Sequence, residues 1–577
     1  MNLGISQLHH AYRHGTISVR QLMQHVMQAI DHAPKEIWIA RTPQKLLDVW
    51  IDRLERLPPK HLPLYGIPFA VKDNIDIAGL PTTAGCAACA ALATRSATVV
   101  ERLMEAGAIP VGKTNMDQLA TGLTGTQSAY GTVPNRFASG YIAGGSSSGS
   151  AAALAYNLCS FSLGTDTAGS GRIPAAFNDR VGFKPSRGLV SMRGILPCCR
   201  TLDCVSIFTY DAADAMRVFD VLHGLDAEDP YSRAIPECSE KNSGFVRMGV
   251  PYRGQLEFFG NDAYERAFRR AISRLEVSGC ILVEIDFQPF LEAGQLLNDG
   301  AWIYERYATL GSLVEKYPQA ILPAIQAIIK PKEVVHPSQV FKDLYRLQEL
   351  KVKTDQIMSG IDLLLTPTAG TIYRVDEVLL DPLVMNANLG YYTQYTNVLD
   401  YSAIALPAGM AGEMPFGITL AAPTFRDRKV LFSALRLEST LSENRLLAVV
   451  GPHLSGGERH HELESLGAQF VEATRTAPKY HMYAFQHEGL WEPALIRCQK
   501  DGVSCYCEVY EISSPAFEHF ARQVHSPLAI GTVELQDGQV VHGFIGEGII
   551  AEIGRDISVR ADWRLVSGTD LKPGVAR

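Results

Sequence analysis

The chain has 577 residues, 46% hydrophobic and 20% charged, with a formal net charge of −8. Such a length exceeds one compact domain, and such a composition excludes an intrinsically disordered chain. There is no basic run suited to nucleic acid or an anionic membrane surface, and no uncharged apolar stretch long enough to span a bilayer.

The N-terminal stretch "MNLGISQLHHAYRHGTISVRQLMQHV" lacks the apolar core of a secretion signal and reads as two short amphipathic helices around a "HGTIS" break. Eleven cysteines, an odd count without disulfide-like spacing, predict free thiols in a reducing cytoplasm. "CAAC" (Cys86, Cys89) has the spacing of a metal or redox pair. A second pair at matching spacing is missing, since Cys505 and Cys507 are separated by one residue and lie far away, so these are read as structural thiols and no metal is expected.

Up to about residue 440, short apolar runs alternate with longer helical patterns. "GIPFAVK" and "IPVGKTN" read as strands around the helix "ATVVERLMEAGA". "SGSAAALAYNLC" reads as a helix before the strand and loop "SFSLGTDTAGS". Further on come the helix "PSQVFKDLYRLQELKVKTDQIMSG", the strand "IDLLLTPTAG" and the helix "RKVLFSALRLE". This alternation predicts an α/β fold with a mixed sheet covered by helices. The polar stretch "LESTLSENRL" then marks a boundary. The expected division is a first domain over 1–440, a linker over 441–447, and a smaller β-rich domain over 448–577. In the last of these, Asp-Gly turns at 501–502 and 537–538 predict two hairpins.

Two motif matches are set aside. "GAIPVGKT" fits the P-loop pattern, but a helix precedes Gly107 and the would-be phosphate loop is itself strand-like, so no nucleotide cofactor is expected. "GSSSG" fits a nucleophile elbow at Ser147, but turn chemistry ("VPNRFASGYIAG") leads into it where a buried strand is required.

A third constellation carries more. Lys72 ends an apolar strand, Ser146 opens the Gly/Ser-rich loop, and Ser170 closes "GTDTAGS". Burial would disfavour the charged form of Lys72, and a neutral lysine is a base towards serine. Glycines beside Ser170 let backbone N–H groups turn inward onto an oxyanion. The residues alone equally fit a surface lysine and a tight turn.

"GIPFAVKDNID", "GGSSSGSAAALA" and "SLGTDTAGSGRIPAAF", in that order, resemble the amidase signature family. The resemblance implies Ser170 as nucleophile, Ser146 as bridging serine and Lys72 as base. It also implies an oxyanion hole from the N–H groups of Thr167, Ala168, Gly169 and Ser170, with Gly122 near the substrate. The segments "RGLVSMRGILPCCRTLDCVSIF", "VVGPHLSG" and "PLAIGTVELQDGQVVHGF" extend the likeness to the allophanate hydrolases, whose second domain is similar to γ-glutamyl cyclotransferase-like folds. What this implies is release of ammonia from allophanate, giving N-carboxycarbamate. Arg306 would hold the substrate carboxylate, and His453 is a candidate for a decarboxylation in the second domain. A cytoplasmic homodimer without metal or organic cofactor is the expected form.

The chain departs from the family at Asn298, where a substrate-contacting tyrosine is usual, and at Gln127 and Ala129 in "GTQSAYG". The alternatives are an amidohydrolase for another small carboxylated amide and an inactive amidase-like binding subunit.

Overall fold

The structure is a computed structural model that describes residues 3–58, 62–236, 246–331, 333, 335–441, 444–487, 490–498 and 500–567. It divides into two compact units, Met1–Leu441 and Ser442–Arg577.

The first unit is built on an eleven-stranded mixed sheet. At its heart the strand Pro68–Lys72 lies parallel to both Ile109–Thr114 and Phe161–Asp166. Every residue of these three strands is buried, as expected of parallel strands covered on both faces. Phe69 and Phe161 stack across the pair at 5.1 Å; truncating either ring to alanine would cost about 3–5 kcal/mol. Phe161–Asp166 pairs antiparallel with Cys204–Thr209 on its other side. Beyond that strand the sheet continues to its far edge at Ile281–Ile285.

The helices cover this sheet as the periodicity predicts. Ile5–Arg13 and Val19–His32 flank the "HGTIS" break, and the second begins with a capping box between Ser18 and Gln21. Gly107 follows the helix Thr98–Glu105 at φ +98°, and the residues matching the P-loop pattern form the strand Ile109–Thr114. The helix Ser148–Ala155 is buried at all eight positions, and its Ala, Ser and Gly side chains are small enough for close packing under the strands. Helices Ser338–Met358 and Asp427–Leu441 and strand Leu363–Pro367 stand where the sequence places them. Among the described residues, no helix is long and apolar enough to cross a membrane.

The second unit is β-rich. A five-stranded sheet runs in the order Gln469–Arg475, Tyr506–Ser513, Asn444–Val449, Val540–Gly546, Leu528–Glu534, beside a three-stranded sheet of Leu490–Arg497, Tyr480–His487 and Arg555–Asp556. The segment 441–447, expected as a linker, includes the last residue of a helix and the start of the central strand, Asn444–Val449. Around Asp537-Gly538 the predicted hairpin forms, in register from Leu528↔Gly546 to Glu534↔Val540. At Asp501-Gly502 it does not. Asp501 does take a left-handed turn conformation (φ +59°), but the flanking strands part to different sheets. Leu490–Arg497 pairs along its whole length with Tyr480–His487, while Tyr506–Ser513 is claimed on both sides by Asn444–Val449 and Gln469–Arg475. The local turn signal was right and the long-range pairing overrode the hairpin.

Candidate active site

Lys72 is the last residue of the central strand, and its side chain has no exposed surface. Its Nζ donates to Ser146 Oγ at 2.8 Å and to Thr165 Oγ1 at 2.9 Å. Burial pushes its pKa down to about 7. Asp117 and Asp166, followed by Cys198 and Asp203, pull weakly the other way. The neutral amine is therefore within reach near neutral pH.

Ser146 follows a cis peptide bond from Gly145. Its hydroxyl accepts from Lys72 and donates to Ala120 O at 3.2 Å. Asp117 fixes this loop: its own N–H donates to Ser146 O (3.1 Å), and its carboxylate accepts from Gly125 N and Gln127 N at 3.0 and 2.8 Å. Position 145 admits only glycine, since a Cβ there would lie 2.0 Å from Asp117 Oδ2. Ser147, the alternative nucleophile, is spent on Thr165 O at 3.2 Å.

Ser170 follows strand Phe161–Asp166 and is 3% exposed, with its Oγ directed at Gly122 O (3.4 Å). Its turn is held from below by Asp166, whose carboxylate accepts from Gly169 N (2.8 Å), Gly171 N (3.0 Å) and the Arg172 guanidinium (3.0 Å). Burial alone would raise the Asp166 pKa, but Arg172 holds it below the usual carboxylate value. This corrects one expectation: the Gly169 N–H is consumed by Asp166 and does not face an oxyanion. The N–H groups of Thr167, Ala168 and Ser170 donate to no protein acceptor among the described residues.

Residues 120–122 bind the site together. Ala120 O accepts from Ser146 and Gly122 O from Ser170, while the Thr121 hydroxyl between them meets Cys198 Sγ at 3.6 Å. Leu119 and Ala120 both adopt left-handed conformations, φ +55°, a strained geometry for non-glycine residues. Gly122 thus contributes its carbonyl to the nucleophile. The Cys198–Cys199 turn hangs on Asp203, which accepts from Cys198 N (2.8 Å), Cys199 N (3.1 Å) and Thr167 Oγ1 (2.5 Å).

Arg306, on helix Trp302–Lys316, is 6% exposed and faces the Cys198 and Cys199 thiols. It donates to Ile328 O at 3.1 Å, while its buried Nε has no hydrogen-bond partner among the described residues. A buried guanidinium with an unused N–H suits an anionic ligand. Asn298, exposed near the end of helix Gln288–Asp299, donates to Gln394 at 3.0 Å. The neighbouring Thr393 donates to Ala168 O, which sets Asn298 at the rim of the site. Cys86 and Cys89 lie around a short 3-10 turn, where Cys86 Sγ points to Ala320 O.

The second unit holds its own cavity of about 330 Å³. His453 lines it, 5% exposed, stacked on Phe544 at 5.2 Å, with Nε2 against Glu462 at 3.0 Å. Arg459 bridges Glu462 and Glu492 beside it. Burial lowers the His453 pKa, and Glu462 opposes this.

Sequence reasoning missed Asp117, Thr165, Asp203, Arg459 and Glu462. Asp117 and Asp203 did leave a trace, as carboxylates in otherwise apolar stretches ("NMDQLA", "TLDCV"). Thr165 left none.

Residues 26–431 match the amidase family, and residues 445–567 match the allophanate hydrolase C-terminal domain. The chain belongs to the amidase family. Urea amidolyases of Lachancea kluyveri and Saccharomyces cerevisiae are 37% and 35% identical over 89% and 91% of this chain. It spans only 30% and 31% of those longer relatives. The solved allophanate hydrolase of Kluyveromyces lactis is 34% identical and superposes with a TM-score of 0.69, covering 96% of this chain and 97% of that one.

Proposed function

We propose that the first unit hydrolyses allophanate to ammonia and N-carboxycarbamate through Ser170, Ser146 and Lys72. The observation that carries this reading is the 2.8 Å contact between a fully buried lysine and Ser146. Arg306 receives the substrate carboxylate, and the far amide carbon meets Ser170. Neutral Lys72 takes the Ser146 proton as Ser146 takes that of Ser170, and Ser170 Oγ bonds to the carbon. Both hydroxyls must first turn from their carbonyl partners, Ala120 O and Gly122 O. The amides of Thr167, Ala168 and Ser170 would stabilise the developing oxyanion. The relayed proton leaves with ammonia, and water then cleaves the acyl-enzyme.

The test is ammonia release from allophanate. It should be present in the native protein and absent in folded Ser170→Ala; turnover by that variant would sink the assignment. Asn298 favours a second reading, a related carboxylated amide such as malonamate, because an exposed amide replaces the family's tyrosine at the rim. In the second unit, His453 and its cavity support a decarboxylation of N-carboxycarbamate. The expected setting is a cytoplasmic homodimer of a two-domain chain, in keeping with the free cysteines among the described residues and with the family resemblance.

A further inference from the structure

Asp203 ties the Ser170 turn to the Cys198–Cys199 turn. Its Oδ1 receives the Thr167 hydroxyl at 2.5 Å, and Thr167 supplies one of the unspent amides beside Ser170. The same carboxylate receives the N–H groups of Cys198 and Cys199 at 2.8 and 3.1 Å. Those two cysteines present the thiols that face Arg306, and Thr121 ties Cys198 back to the segment that accepts from both serines. Asp203 is 4% exposed, and burial pushes its pKa up to about 8 against the hydrogen bonds it accepts from Thr167, Cys199 and Cys198. A buried carboxylate is costly unless its hydrogen bonds are made, and these are made to Thr167 on one side and to the Cys198–Cys199 turn on the other. One short side chain thus ties the two turns together.

We propose that Asp203 is a positioning residue that determines substrate length: by joining Thr167 to the Cys198–Cys199 turn it fixes the separation between the oxyanion-facing amides and the Arg306 guanidinium. The separation so fixed would favour a substrate whose carboxylate and reacting carbonyl are one atom apart, as in allophanate and malonamate, over succinamate, which is one methylene longer. The inference rests on Ser170 and Arg306 acting as proposed above.

The experiment compares kcat and KM for malonamate and succinamate in the native protein, Asp203→Asn, Thr167→Val, Thr167→Ser and the double variant Thr167→Val with Asp203→Asn. The labelling rate of Ser170 by a fluorophosphonate is measured in parallel, and melting temperatures confirm folding. Loss of one buried hydrogen bond to a carboxylate predicts a fall in malonamate kcat/KM of about ten-fold or more in Asp203→Asn and Thr167→Val. Succinamate should fall less, so that the preference for the shorter amide shrinks. Thr167→Ser, which keeps the hydroxyl, should restore the preference, and the double variant should be no worse than Asp203→Asn alone. Equal losses for both amides, or multiplicative losses in the double variant, would mean a merely structural role and overturn the proposal. If the native protein turns over neither amide and releases no ammonia from allophanate, the hydrolytic reading fails separately; if allophanate alone is turned over, labelling decides the role of Thr167. Slower labelling in Thr167→Val, recovered in Thr167→Ser, upholds the link to the oxyanion amides, and an unchanged rate refutes it. Should Asp203→Asn not fold, the two Thr167 variants carry the comparison.

Discussion

Lys72 and Lys113 are buried lysines on adjacent parallel strands, and among the described residues only Lys113 has a carboxylate partner. Lys113 Nζ lies 3.2 Å from Asp73, whereas Lys72 meets hydroxyls: Ser146 at 2.8 Å and Thr165 at 2.9 Å. Burial depresses both, but Asp73 directly opposes this at Lys113. Lys72 thus faces a hydroxyl that can pass it a proton, whereas Lys113 faces a carboxylate that binds it.

The first prediction concerns pH. With the Lys72 pKa pushed down to about 7, the active neutral form accumulates as pH rises, so kcat/KM should climb through an acid limb near 7. Stability should move in the same direction. The unfolded chain holds this proton up to the ordinary lysine value of 10.5 and the folded chain releases it earlier, so folding gains as pH rises from about 7 towards 10.5. Lys72→Met should abolish turnover, flatten that part of the stability profile and melt higher than the native protein at pH 6. Lys72→Arg, permanently charged, should not rescue activity. Rate profiles and calorimetry between pH 5 and 10 check both.

Arg306 is the second. Arg306→Gln should raise KM for a carboxylated amide by about ten-fold to a hundred-fold while leaving turnover of uncharged propionamide within a few-fold of native. Steady-state kinetics on the two amides decides it. A proportional loss on both would remove Arg306 from carboxylate binding.

The third tests the support beneath the nucleophile. Arg172 and Asp166 are both fully buried and joined at 3.0 Å. Arg172→Met strands the Asp166 charge and should lower unfolding free energy by about 3–5 kcal/mol, measured by urea denaturation.

A fourth addresses the second unit. His453→Asn should leave the first ammonia release intact and let N-carboxycarbamate accumulate, followed by carbon-13 NMR. Unchanged decay of that intermediate would dismiss His453 from the step.

The sheet, the helices and the Lys72, Ser146 and Ser170 positions were legible because each rests on a local signal: a buried apolar run, a Gly/Ser-rich loop, a turn after a strand. Asp203 and Arg459 were not, because their partners lie in other segments: Thr167 is 36 positions from Asp203, and Glu492 is 33 from Arg459. The missing hairpin at 501–502 has the same origin, since pairing between distant strands decided it. Gly169 shows a subtler limit. Its place beside Ser170 suggested an inward N–H, but Asp166, three residues earlier, had already claimed it.

The Arg172 side chain also reaches Thr393 O and Asn397 Oδ1, more than two hundred residues downstream. On the ribosome the Ser170 turn therefore emerges long before the segment that braces it. Until residues 393–397 have been made and folded back, Arg172 lacks these acceptors and the turn lacks its anchor. The nascent chain should accordingly carry a Ser170 that is unreactive towards fluorophosphonate until synthesis of the first unit is nearly finished.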